Sequence, residues 1–157
     1  MGRTGRLDRD RYVGERKIAF TMTVQDRVPA FLDRSVVEAH VERLERAIVG
    51  SGCVVPIYSY MPDHLHLMLM GTSETADLLS VVVKYKSLSG YWMHQNHLPK
   101  WQASFYDHVL RLRDDWRNQV WYIAHNPVRA GLAQNWSEYP FTGSIGCDLH
   151  EIVSGYA

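Results

Sequence analysis

Between Lys17 and Gln25 the chain alternates, with Ile18, Phe20, Met22 and Val24 on one parity and Ala19, Thr21 and Thr23 on the other. Successive side chains of a strand point to opposite faces, so a period of two predicts a half-buried strand. From Ser35 the period changes. Val36, Val37, His40, Val41, Leu44, Ala47 and Ile48 recur at helical spacing, which predicts an amphipathic helix of about four turns ending at Gly50 or Gly52. Ser35-Val36-Val37-Glu38 has the form of a capping box at its start. His40, on the inner side, is expected at the core edge and not as a ligand. Cys53 to Tyr60 reads as a second strand, in which Pro56 marks an edge position or a bulge. His64 to Met70 alternates again as a third strand, and the Pro62-Asp63 link makes the two an antiparallel hairpin.

Thr75 to Gln95 carries a second helix, with Leu78, Leu79, Val82, Val83, Tyr85 and Trp92 on its apolar side. Ser80, Lys84, Ser87 and Tyr91 fall on another side, a row of hydroxyls and one cation that suits either a phosphate backbone or plain solvent. Phe105 to Leu112 is expected to be a fourth strand. Asp114 or Asp115 then caps a third helix from Trp116 to about Asn126. The order strand, helix, strand, strand, helix, strand, helix predicts an α+β fold. Its form is a ferredoxin-like four-stranded antiparallel sheet with helices packed on one face. The expected division is a basic arm over residues 1–15, poorly ordered until something binds it, a domain over 16–145 and a tail over 146–157, whose neighbouring aromatics Trp136, Tyr139 and Phe141 pack back onto the domain.

At 157 residues, 46% apolar and 22% charged, the composition is that of one ordinary soluble domain. No apolar run reaches the roughly 20 residues of a membrane span, and the Arg-rich start lacks the apolar stretch of a secretory signal. Cys53 and Cys147 form no C-x-x-C pair and are expected to be reduced thiols, as in a cytoplasmic protein. A net charge of zero argues against a generic polyanion binder. The charge is uneven, however. Arg3, Arg6, Arg9, Arg11, Arg16 and Lys17 crowd the start, Lys84, Lys86, Lys100, Arg111, Arg113 and Arg117 crowd the middle, and no Lys or Arg follows Arg129. Local basic surfaces are therefore expected on an otherwise neutral chain.

The candidate chemistry sits on the third strand. His64 and His66 share a parity with Met68 and Met70, opposite Leu65, Leu67 and Leu69, so the leucines can face a core while both imidazoles project together. Two neutral imidazoles two residues apart make half of a divalent metal site, although His-x-His alone is a weak signal. On the third helix Asp115, Asn118, Tyr122 and Asn126 share the side opposite Trp116, Val120, Ile123 and Ala124. The core does not need this tyrosine, and a carboxamide one turn later could hold a metal beside it. A zinc hydrolase built on His64, His66 and His108 is a rival reading of the same residues.

Three segments together resemble a known family. Met61-Pro62-Asp63-His64-Leu65-His66-Leu67, Trp101 to Arg111 (with Phe105-Tyr106-Asp107-His108) and Tyr122-Ile123-Ala124-His125-Asn126-Pro127-Val128-Arg129-Ala130-Gly131-Leu132 are similar, in order and spacing, to the REP-associated tyrosine transposases, single-tyrosine members of the HUH (His-hydrophobic-His) group. The resemblance covers about residues 12–145. It implies the ferredoxin-like sheet, with His64, His66 and Asn126 as ligands of Mg²⁺ or Mn²⁺ and Tyr122 as the nucleophile. The implied reaction is cleavage and rejoining of single-stranded DNA beside REP-type hairpins, through a 5′-phosphotyrosine link. The implied setting is a bacterial nucleoid, with the chain a monomer or homodimer that needs no membrane. Lys84 falls at the family's basic position on the second helix, and His108 at its Asp-His element, where it and Asp63 are supporting candidates. Asp63 departs from the commoner Asn before the first His and adds negative charge there. Lys84, Ser87, Arg3, Arg6, Arg9, Arg11, Arg111 and Arg113 are the expected DNA contacts. A non-catalytic hairpin-binding module on the same fold is the alternative.

Overall fold

The leucines of the His-x-His strand decide how the chain packs. In a computed structural model, whose described residues are 8–111 and 115–155, Leu65, Leu67 and Leu69 are fully buried while His64 and His66 lie on the other face. They belong to β3 (His64–Gly71), the middle strand of a sheet that also holds β1 (Lys17–Thr23), β2 (Cys53–Met61), β4 (Tyr106–Val109) and β5 (Thr142–Ile145). The order is β4-β1-β3-β2-β5, antiparallel throughout. The leucine face packs on α1 (Arg34–Ile48) and α2 (Leu78–Gln95), with Val37 and Leu44 of one and Val82 and Tyr85 of the other in a single core with Phe20 and Met22. Each buried leucine contributes roughly 1.5–3 kcal/mol.

Through β4 this is the expected α+β ferredoxin-like arrangement. Two features extend it. A fifth strand pairs with β2, and the opposite face of the sheet is not bare. α3 (Trp116–Ala124), the single turn α4 (Asn126–Arg129) and α5 (Leu149–Ser154) follow β4. Val120, Ile123 and Ala124 of α3 and Ile152 and Val153 of α5 form a second core with Ile57 and Met68 of the sheet. The helices thus cover both faces, and the second layer stands beside the histidines.

Pro56 explains how β2 serves both cores. The register between β2 and β3 slips between Val54, opposite Met70, and Ile57, opposite Met68. The extra residue of a bulge flips every following side chain to the other face. Val55 therefore lies in the first core and Ile57 in the second. Of the two readings of Pro56, the bulge holds and the edge does not, because β5 covers that side.

Other local expectations shift by a turn. α1 begins at Arg34 with Asp33 at its N-cap, so Ser35 lies inside the helix and forms no capping box. α2 begins at Leu78, where the Asp77 carboxylate accepts from the Ser80 amide, and α3 begins after Asp115. Val83, placed on the apolar side from sequence, is 54% exposed. Residues 8–15 also differ from an unattached arm. A 3₁₀ turn over Arg9–Tyr12 docks on the domain, Tyr12 is fully buried, and its hydroxyl donates to Asp107 Oδ2 at 2.8 Å. The aromatics near the tail do pack back, with the Tyr139 hydroxyl donating to the Tyr60 carbonyl at 2.6 Å. Cys53 and Cys147 are free thiols. Among the described residues no helix is long and apolar enough to cross a membrane.

Candidate functional site

Strand pairing sets the histidines in a row. His66 stands opposite Thr21 on one side and Ser59 on the other, and His64 opposite Thr23 and Met61. The two rings meet edge to face with their Nε2 atoms 3.2 Å apart. Two ligands at right angles on one cation, each about 2.1 Å from it, stand about 3 Å apart. The pair is thus already spaced as neighbouring ligands.

Both rings are fixed from behind. His64 Nδ1 lies 2.6 Å from Asp63 Oδ1, and the other Asp63 oxygen accepts from Arg27 Nε at 3.0 Å. Burial opposes ionisation of Asp63, but the His64 hydrogen bond and charge, then Arg27, outweigh it and hold the carboxyl below its usual range. With Nδ1 turned to this carboxylate, Nε2 is the His64 atom that faces His66 and is open to a cation. Asp26 and Arg27, which bring the guanidinium here, sit at φ 57° and 55°, a left-handed conformation rare for residues with a Cβ. His66 Nδ1 is 3.3 Å from the Thr21 hydroxyl, which accepts or donates and so serves either ring tautomer. Burial first, then His64 and Arg129, lower the His66 pKa to about 4, so the ring is neutral at physiological pH.

α3 supplies the opposite wall. Thr21, His66, Tyr106, His108, Tyr122 and Asn126 line one cleft of about 200 Å³ between the sheet and α3. The tertiary structure thus brings Tyr122 and Asn126 into one cleft with His66, while His64 reaches it through its contact with His66. Tyr122 is 54% exposed. Its ring lies under the Arg129 guanidinium, 3.7 Å from centroid to Cζ. Arg129 Nη2 also donates to the Tyr122 carbonyl at 2.6 Å and, at short range, to Asn126 Oδ1. Arg129 was not among the expected site residues, although its spacing of three from Asn126 and seven from Tyr122 puts it within reach on a continuing helix. Two imidazoles, a carboxamide oxygen and room for water or substrate fit a hard divalent cation.

His108 lines the cleft but joins no triad with the histidines. It stands opposite Ala19, whose partner on β3 is Met68, so it lies two strands and one same-face row away from His66. Among the described residues no three His, Cys, Asp or Glu side chains are grouped to hold a metal ion. The zinc-hydrolase trio of His64, His66 and His108 is therefore not assembled.

The expected DNA contacts separate into groups. Arg9, Ser80, Lys84 and Ser87 line one shallow surface groove with Val83 and Leu88. Arg9 Nη2 donates to Asp77 Oδ2 at 2.5 Å and to the Ser80 hydroxyl at 2.8 Å. Arg11 and Arg111 are exposed elsewhere. Arg3, Arg6 and Arg113 lie outside the described residues.

No known family profile matches the chain. It is 29% identical over 83 residues to the REP-associated tyrosine transposase of Escherichia coli K12, a stretch covering 52% of this chain and 48%, about half, of that protein. It is 27% identical over 143 residues to a candidate REP-associated tyrosine transposase of Haemophilus influenzae, covering 78% and 76% of the two chains. Its fold superposes on a REP-associated tyrosine transposase bound to a REP hairpin, with a TM-score of 0.73 at 22% identity over 90% of this chain and 82% of that one. A candidate transposase of Deinococcus radiodurans superposes with a TM-score of 0.50 at 19% identity, over 80% and 95%. At such identities the structural likeness speaks for the fold alone. In sequence this chain is similar to REP-associated tyrosine transposases, and in fold to one of them.

Proposed function

We propose that this chain is a metal-dependent single-strand DNA endonuclease and strand transferase that works beside REP-type hairpins through a 5′-phosphotyrosine intermediate. The observation that carries the reading is the meeting of His66, Tyr122 and Asn126 in one cleft, with His64 held at 3.2 Å from His66. Sequence kinship to a REP-associated tyrosine transposase supports the substrate class.

In this reading His64, His66 and Asn126 would hold Mg²⁺ or Mn²⁺. When bound, such a cation polarises the scissile phosphate and stabilises the departing oxygen. Tyr122 presents a half-exposed phenol from the wall of the same cleft. Its oxygen bonds to phosphorus, the P–O3′ bond breaks, the phenol proton goes to solvent, and the 3′ oxygen takes a proton from solvent and leaves as a hydroxyl. A phenol, with an ordinary pKa near ~10, is easier to deprotonate than an alcohol and leaves more readily when a second 3′-hydroxyl reverses the step. The covalent bond preserves the phosphodiester energy, so rejoining needs no nucleotide cofactor. Arg9, Ser80, Lys84 and Ser87 would hold backbone phosphates of the hairpin, fixing its register without reading bases. Arg11 and Arg111, with Arg3, Arg6 and Arg113, complete the basic set.

The test is a labelled hairpin oligonucleotide with a single-stranded flank, incubated with Mg²⁺, Mn²⁺ or EDTA. A metal-dependent, SDS-resistant adduct that is absent in Tyr122→Phe is the expected result. Hairpin binding with no adduct on any substrate would leave a DNA-binding module. Cleavage that survives Tyr122→Phe would assign the nucleophile to water.

A further inference from the structure

Arg129 occupies an atom that the proposed site needs. Its Nη2 donates to Asn126 Oδ1, the carboxamide oxygen read above as the third ligand. The same nitrogen donates to the Tyr122 carbonyl at 2.6 Å, and the guanidinium covers the Tyr122 ring. A carboxamide oxygen has two lone pairs, but a guanidinium and a divalent cation sharing it would be like charges a few ångströms apart. The two uses of Asn126 Oδ1 therefore compete. Arg129 is exposed, so it can meet a strand entering the cleft.

We propose that Arg129 is a phosphate-operated latch: it holds Asn126 away from the metal until the DNA phosphate arrives, then turns to the phosphate and releases the carboxamide. The proposal rests on the reading of His64, His66 and Asn126 as ligands. The exchange is favoured because an anionic phosphate oxygen attracts the guanidinium by charge, which a neutral carbonyl does not, and can be bonded in a fork. The bond to the Tyr122 carbonyl serves as the pivot, so nucleophile and phosphate are gripped by one side chain. Its consequence is order of assembly: the complete ligand set would form only where substrate is present.

The experiment is a calorimetric titration of the full chain with Mn²⁺, with and without a saturating hairpin oligonucleotide bearing a single-stranded flank. If the carboxamide is latched about nine-tenths of the time, the latch weakens Mn²⁺ binding about tenfold. Without DNA, Arg129→Ala is expected to bind Mn²⁺ about tenfold more tightly than wild type. In an Asn126→Ala background the same substitution is expected to change nothing, since the latch has no oxygen to hold. With the oligonucleotide, wild type is expected to close the gap to Arg129→Ala. Equal affinities without DNA overturn the latch. A tenfold gain that persists with Asn126→Ala overturns it too, because the effect is then the charge of Arg129 alone. Mn²⁺ binding unaffected by His66→Ala would instead remove the metal site itself, a different failure. Circular dichroism melts check folding, and Arg129→Gln replaces Arg129→Ala if the latter does not fold.

Discussion

The Arg129 guanidinium lies 3.7 Å from the centre of the Tyr122 ring and reaches back 2.6 Å to the carbonyl of the same residue. The chain turns at His125, between α3 and the single turn α4, and this turn brings a side chain seven residues on over the ring. The tyrosine that the core does not need is held in place by this contact.

A stacked guanidinium on an exposed ring contributes about 0.5–1 kcal/mol, and an ammonium does not reproduce its flat fork. Arg129→Lys is expected to slow adduct formation about two- to fivefold, the equivalent of that contact. Hairpin affinity, measured by gel shift, should stay within about twofold if the loss lies in placing the nucleophile.

Asp63 is the acidic partner that fixes the His64 ring. Asp63→Asn keeps the shape and loses the charge. Outer partners of a ligating histidine typically set about 10–100-fold in metal affinity. Mn²⁺ affinity measured by calorimetry should fall within that range, while the melting temperature moves little because the Asp63–Arg27 pair is largely at the surface.

His40 makes folding sensitive to acid. It is fully buried among Phe31, Tyr60, Trp92 and Trp101, donates from Nδ1 to the Val36 carbonyl at 2.8 Å, and burial lowers its pKa from 6.5 to about 4. The unfolded chain therefore binds the proton first. The neutral-His40 contribution is whole above pH 6.5 and is lost as pH falls toward 4, a total of ~3 kcal/mol. Urea unfolding at pH 7 and pH 4.5 should show wild type losing more stability than His40→Leu. His66 shifts in the same direction, so the difference between the two proteins isolates His40. Parallel losses would show that His40 is not the acid-sensitive group.

Lys84 is exposed beside Arg9, Ser80 and Ser87. If this groove takes hairpin phosphates, Lys84→Ala should weaken binding similarly for every hairpin sequence. It should also lower the slope of log affinity against log salt by about one. An unchanged slope would remove Lys84 from the interface.

Much of this was legible in residue order. The parity of His64-Leu65-His66-Leu67-Met68-Leu69 forces leucines and imidazoles onto opposite faces of any strand, whatever the strand pairs with. Steps of four put Tyr122 and Asn126 on one side of any helix, and the spacing of Val37, Leu44 and Ala47 gave α1 its buried side. Other parts left no periodic trace. β5 reads Thr142-Gly-Ser-Ile, with no alternation to mark a strand, and exists because β2 offers it hydrogen-bonding groups. α5 is six residues long, too short for a helical pattern to stand out, and is held by apolar contact with α3. Tyr12 lay in a charged segment, yet it is a core residue because it finds Asp107 95 positions away.

What the sequence by itself determined is therefore the set of local facings: which side chains share a side of a strand or a helix. Those follow from backbone geometry within a few residues. The tertiary structure decided what each side meets. It set α3 over the histidine face rather than with α1 and α2, closed a cleft between His66 and Tyr122, placed His108 two strands from the pair with no metal-holding trio, and laid Arg129 on Asn126. Such meetings depend on burying apolar area between distant segments, here Ile57 and Met68 against Val120, Ile123, Ile152 and Val153, and no local period records them.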